Sequence, residues 1–208
     1  MAYPTVSAPY GFRPVNLIGG QVFAGSTRNL PIQYGYATNI FYGDFVVLAS
    51  GFVTRASVTN GTGLNQVVGV FLGCSYTNPS TKQKLFSQYY PGSIVASDIV
   101  AYVCDDPNAL FRVVNVTSAV ADDAAGGLLP AYISRANAIS CNAELVLNTG
   151  LSTSGNSRMG VFINNVATIL PIRVVDVVPD TQNSSGNFVE FIVKFNATYH
   201  TYNATAGV

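Results

Sequence analysis

Residues 43–74 read GDFVVLASGFVTRASVTNGTGLNQVVGVFLGC, and this stretch decides the fold class. Gly43-Asp44 is a turn signal, and Phe45-Val46-Val47-Leu48 is a run of strand formers. Ser50-Gly51 turns the chain into a second short strand, Phe52-Val53-Thr54. A polar Thr/Asn/Gly segment with Asn60-Gly61 leads to a third strand, Val67 to Gly73. β-Branched and aromatic runs bounded by Gly, Asn and Ser are strand-and-hairpin chemistry. No helical period is present, and no side chain in the stretch is chemically poised.

The same punctuation continues along the chain. Tyr76 to Tyr90 is a polar and aromatic excursion between strands. Ile99 to Val103 and Leu110 to Val114 flank Asp105-Asp106-Pro107-Asn108, the strongest turn signal in the sequence, so Asp98 to Val116 reads as a hairpin. The Ala-rich segment Ser118 to Gly127 is a candidate short helix, stopped by Gly126-Gly127. Residues 136–147 are ambiguous between a helical turn and a strand. Met159 to Asn164 and Ala167 to Val178 read as strands. Within the second, Arg173 and Asp176 are three apart and fall on opposite faces of a regular strand. Phe188 to Phe195 alternates, with Val189, Phe191, Val193 and Phe195 on one face and Glu190, Ile192 and Lys194 on the other. The expected fold is mainly β: a β-barrel or sandwich core of roughly eight to ten short strands, with an extended N-terminal arm and little helix.

Three regions are expected: an arm over 1–40, a β-rich core domain over 41–195 and a tail over 196–208. Pro4, Pro9, Pro14 and Pro31 forbid a helix in the arm, and its glycines add turns. Tyr3, Tyr10, Phe12, Val15, Leu17, Ile18, Val22 and Phe23 are spaced apolar anchors there. They order the segment against a surface, and a neighbouring subunit is the favoured one.

Composition narrows the function. Hydrophobic residues make up 49% of the 208 and charged residues only 10%, against about 25% charged in an average soluble domain. A surface so poor in charge resembles an interface core. Ten basic and ten acidic residues cancel, which argues against nucleic-acid binding; Lys82 and Lys84 read as a solvated hairpin face. The start has neither the basic region nor the apolar stretch of a secretory signal, and no apolar run is long enough to span a membrane. Cys74, Cys104 and Cys141 are odd in number and widely spaced, which fits free thiols packed as small core residues. The sequons at Asn60, Asn115, Asn183, Asn196 and Asn203 carry little weight without an export signal.

No catalytic set assembles. The single histidine, His200, sits in the tail and reads as a solvated or interface residue. There is no Cys-x-x-Cys and no metal-ligand spacing, and no cofactor is expected. Asp105-Asp106 and Asp122-Asp123 are turn formers before they are calcium ligands. The tyrosines lie mostly in loops and arms, where contact with protein is the simpler role. An enzyme is therefore not expected.

GDFVVLASGFVTRAS, then VVGVFLG, then AYVCDDPNALFRV, together with the start APYGFRPVNLIGGQVFAGSTR, resembles capsid decoration (cement) proteins of tailed bacteriophages, cyanophages among them. The resemblance spans most of the chain. It implies a β-rich protein on the outer surface of the virion, made in the host cytoplasm and often trimeric, whose partners are the major capsid protein and its own copies. It would clamp neighbouring capsid subunits through area rather than catalysis, with Tyr3, Tyr10, Phe12, Val15, Leu17 and Phe23 as contact residues. Nucleic acid and membrane are not expected partners. The alternative is a tail, neck or fibre component, and an exported glycan-binding module is a third class.

Overall fold

The computed structural model describes residues 9–57, 66–116, 135–163, 170–181 and 188–203. The Ala-rich segment Ser118 to Gly127 and the anchor Tyr3 lie outside them. Twelve strands follow in chain order: β1 Arg13–Leu17, β2 Arg28–Pro31, β3 Phe45–Ala49, β4 Phe52–Arg55, β5 Val67–Thr77, β6 Lys84–Ser87, β7 Val100–Cys104, β8 Ala109–Val114, β9 Asn142–Val146, β10 Gly160–Phe162, β11 Ile172–Val177 and β12 Glu190–Phe195. One helical turn, Arg135–Ala138, precedes β9. The ambiguous segment 136–147 is thus the end of that turn followed by a strand.

The strands form two antiparallel sheets packed as a sandwich. Sheet I has the order β1-β8-β12-β11-β9-β10, and sheet II the order β2-β7-β5-β3-β4, with β6 on the far half of β5. Both sheets curl. The ends of sheet II meet at a parallel bridge between Ile32 and Val53, and β10 meets the end of β8 at a bridge between Val161 and Asn115. The architecture is the expected mainly β one.

The opening stretch behaves as its sequence predicts. Ser50 and Gly51 both have positive φ (51° and 84°), the geometry of a tight two-residue turn matched to strand twist, and β3 pairs with β4 from Ala49↔Phe52 onward. Burial along β5 is nearly continuous rather than alternating, because sheet II has a core on each face. Gly69 is required there: a Cβ would lie 2.2 Å from the Cys104 carbonyl oxygen on β7.

One core lies between the sheets. Four phenylalanines from distant parts of the chain close a ring in it. Phe12 stacks on Phe45 at 4.1 Å and meets Phe111 edge-on at 6.5 Å; Phe195 lies 5.1 Å from Phe45 and 5.2 Å from Phe111. A second core, on the other face of sheet II, packs Val46, Val68 and Phe71 against Ile40, Tyr90 and Ile99 of the connecting segments. A small third cluster, Val114, Val116 and Val146, is covered by Tyr10, Phe162 and Phe188.

Four expectations change. Residues 98–116 are not a hairpin. The edges of β7 are taken by β2 and β5, and those of β8 by β1 and β12. The turn has its expected chemistry, with the Ala109 N–H donating to the Asp106 carbonyl at 3.1 Å and the Asn108 N–H to Asp106 Oδ1 at 2.7 Å, but it hands the chain from one sheet to the other. The described part of the arm is extended, yet it is built into the fold as an edge strand of each sheet, β1 on β8 and β2 on β7. In β11 a bulge between Val174 and Asp176 resets the alternation. Arg173 pairs with Lys194 and Asp176 with Ile192, so the two share a face instead of opposing one another. His200 is fully buried, not solvated.

Candidate functional site

The arm residues divide into those that hold the chain together and those that stay exposed. Phe12 is in the four-ring core and its N–H donates to the Gly43 carbonyl at 3.0 Å. It is an internal anchor and cannot also contact a neighbour. Removing residues 2–24 would therefore take a core ring and an edge strand out of the fold. Leu17 and Phe23 are half-buried against the same core.

Tyr10 is fixed by a polar seam on the outer face of sheet I. Its hydroxyl donates to Glu190 Oε1. Arg112 grips the other oxygen, Oε2, through Nε at 2.8 Å and through Nη2. The Glu190 N–H donates to Thr181 Oγ1 at 2.9 Å. Glu190 is buried although it sits on the outward face of β12, because Tyr10 and Phe188 cover that end. Burial raises the Tyr10 phenol well above its ordinary range, and the glutamate beside it adds to the effect. Next to it, the Arg13 guanidinium lies 4.0 Å over the Tyr42 ring, and its Nη2 donates to Asn156 Oδ1 at 2.8 Å. Arg13 ties β1 to the 151–156 loop in the way a cation stacked on an aromatic face does.

A second seam is internal. Asp44 is fully buried. Its Oδ2 accepts from Arg55 Nε and from the Phe41 N–H, both at 2.9 Å, and its Oδ1 from Ser157 Oγ at 2.5 Å. Arg55 Nη2 also donates to the Asn148 carbonyl at 2.6 Å. Burial pushes the Asp44 carboxyl up, against the pull of Arg55 and the two other donors. A serine on a carboxylate has the outline of a nucleophile pair, but Ser157 is fully buried, its oxygen accepts the Met159 N–H at 3.0 Å, and no imidazole stands between them. The group is a strut joining β3, β4 and the segment before β10.

A third seam joins the tail to the sheet-crossing corner. Asp105 accepts from Arg28 Nε at 2.8 Å and from the Tyr202 hydroxyl at 2.7 Å, and Arg28 lies 4.9 Å over the Tyr202 ring. On the far hairpin, Asp98 Oδ2 accepts from Lys84 Nζ at 2.9 Å and from Thr77 Oγ1 at 2.7 Å. The Cys74 and Cys104 thiols are pushed by burial up to about 12, which makes them packing residues rather than nucleophiles. Among the described residues no group of three or more His, Cys, Asp or Glu is placed to hold a metal ion, and no helix is long and apolar enough to cross a membrane.

The exposed residues of the N-terminal segment include large apolar ones. Val15 is the extra residue of a bulge in β1, between Pro14 and Asn16, and is 37% exposed. Ile18 and Val22, 45% and 75% exposed, lie in the turn that follows, held by the Leu17 N–H on the Gln21 carbonyl and by the Ile18 N–H on the Asn108 carbonyl. The corner that receives Ile18 also carries Tyr202, 43% exposed. Of the contact residues expected from sequence, Val15 is on this face, Tyr10, Leu17 and Phe23 sit beneath or beside it, and Phe12 is inside. Ile18 and Val22 were legible as anchors, and the structure makes them the more accessible ones. Glu190 and Arg112 were not legible as a pair, since only strand register brings them together.

Comparison of the chain with known families, with curated proteins and with solved structures finds no match.

Proposed function

We propose that the chain is a structural protein of a tailed-phage virion that decorates the capsid and cements neighbouring major capsid subunits. The observation that carries this reading is the exposed apolar set of Val15, on the bulge of edge strand β1, and of Ile18 and Val22 in the turn that follows, where Val22 folds back to bridge Asn16. A bulge on an edge discourages indiscriminate strand pairing while leaving apolar side chains for a shaped partner. Low charge over the whole chain removes the desolvation cost that a broad contact would otherwise meet. Repetition on a symmetric shell multiplies modest contacts. The resemblance of the GDFVVLASGFVTRAS and APYGFRPV segments to decoration proteins points the same way.

Immunogold labelling of purified virions with an antibody to this chain tests the placement. Label over the head supports decoration, label on the tail or neck selects the alternative, and virions free of label refute both. Native mass by light scattering adds the oligomer: a trimer fits local three-fold sites, and a larger ring fits the neck. The surface itself is tested with Ile18→Asp/Val22→Asp. The double variant should lose binding to shells stripped of the protein while unfolding at the wild-type denaturant midpoint, and unchanged binding would remove this face from the argument.

A further inference from the structure

His200 is the one histidine of the chain, and the structure gives it an unusual setting. It is fully buried, forms a parallel bridge with Val67 at the start of β5, and packs against the rings of Phe195 at 5.3 Å and Tyr202 at 5.2 Å. Its Nδ1 accepts the Tyr202 N–H at 3.3 Å, and its Nε2 is buried with no hydrogen-bond partner. An Nδ1 that accepts fixes the neutral tautomer with the proton on Nε2. The residues around it hold the tail down. The Thr201 N–H donates to the Val67 carbonyl at 3.0 Å, Thr201 Oγ1 reaches the Gln66 and Val67 carbonyls at 3.1 Å, and the Asn203 N–H returns to the His200 carbonyl at 3.0 Å.

We propose that residues 196–203 form an acid-released latch, closed by neutral His200 and opened when its Nδ1 takes a proton. Two things happen at that proton. The acceptor that holds the Tyr202 N–H becomes a donor pointing at a donor, and a charge forms in a site walled by Phe195 and the start of β5. The groups facing the ring are few. Asp105 and Asp106 on the corner favour the charged form; the Asp105 backbone approaches the ring without completing a hydrogen bond, and the Asp105 carboxylate is already engaged by Arg28 and Tyr202. Burial outweighs them and lowers the affinity of the imidazole for a proton. The sign follows. The released tail binds the proton more readily than the closed latch, so closing is favoured above the ordinary imidazole value of about 6.5 and weakens as pH falls below it. Each unit by which the closed value lies under the open one costs the closed state about tenfold in its equilibrium. The inference stands whether or not the protein sits on a capsid.

Because there is one imidazole, its NMR titration in the full-length protein is unambiguous. It should titrate below about 6.5, and a midpoint at or above that value overturns the proposal. Amide hydrogen exchange between pH 7.5 and 5 reads the latch. Protection at Thr201 and Tyr202, corrected for intrinsic exchange, should fall between the two pH values while amides of β8 and β12 keep theirs. In His200→Gln that acid step should vanish, at whatever level the tail then sits. An equal loss in the variant, or full tail protection in the wild type at pH 5, overturns it.

Discussion

Phe12→Ala decides whether the N-terminal segment belongs to this fold or to a neighbour. The ring is fully buried, stacked on Phe45 at 4.1 Å and edge-on to Phe111 at 6.5 Å. Truncating a buried phenylalanine costs about 3–5 kcal/mol in transfer and cavity terms, and loss of the aromatic geometry accounts for about 0.5–1.5 kcal/mol within that range. The site cannot easily collapse, because Phe45, Phe111 and Phe195 brace one another from both sheets. At least the middle of that range is therefore expected, about 4 kcal/mol. For a chain of this size each kcal/mol shifts Tm by about 2–4 °C, so melting should fall by about 8–16 °C. Urea unfolding followed by far-UV circular dichroism gives the free energy, with an unchanged slope showing that the same surface is exposed. Val22→Asp is the paired control; Val22 is 75% exposed, and its substitution should stay within about 0.5 kcal/mol. A loss under about 1 kcal/mol for Phe12→Ala, equal to that control, would refute the placement of this segment in the core.

Three further outcomes follow from the seams and the sheet. Glu190→Ala strands Arg112 and the Tyr10 hydroxyl at the edge of a buried cluster; with Arg112 43% exposed on its side chain, a loss of about 2–4 kcal/mol is expected by urea unfolding, and less than about 0.5 kcal/mol would show the seam to be ornamental. Gly69→Ala drives a Cβ to 2.2 Å from a backbone oxygen of β7, so soluble yield should collapse, and a normally folded variant would contradict the β5–β7 register. Cys74 and Cys104 are buried and raised to about 12, while Cys141 is half-buried; a thiol reagent at pH 8 should modify Cys141 first and the other two only on addition of denaturant, and rapid modification of all three in the native protein would refute that packing.

The fold was most legible where local chemistry alone sets geometry. Ser50-Gly51 demands a tight turn and gets one, and Phe188 to Phe195 alternates because one face of β12 meets the inter-sheet core. Local chemistry failed where partner choice matters. Asp105 to Asn108 specifies a reversal of direction, but nothing in the turn says that β7 and β8 each already have two neighbours. Pro14 and Pro31 made the first forty residues read as an arm, yet a proline at a strand edge forfeits no ladder bond on its open side, and both lie in edge strands. The bulge in β11 left no mark in composition. Glu190 showed its face but not its cover. Ile18 and Val22 were visible as anchors; that they, rather than Phe12, stay outside depends on which ring fits the gap between Phe45 and Phe111.

The placement of charge explains why so few ionisable residues suffice. The ion pairs Arg112–Glu190 and Arg28–Asp105 bind segments far apart in sequence, Arg55–Asp44 brackets one hairpin and reaches the segment before β10 through Ser157, and a tyrosine hydroxyl closes the first two: Tyr10 on Glu190 and Tyr202 on Asp105. An exposed pair adds little, but a carboxylate that is buried and fully hydrogen-bonded punishes any other arrangement of its neighbours. Asp44 does this at the meeting of β3, β4 and the segment before β10, and Glu190 where the N-terminal residues cross sheet I. Apolar packing alone would tolerate several ways of laying a Pro- and Gly-rich segment over two curled sheets; the seams select one. The turn after β1 carries no charged residue, and Ile18 and Val22 are exposed there. If that division of labour is right, Ile18→Asp/Val22→Asp should change association without changing stability, and Glu190→Ala should change stability first and association only through it.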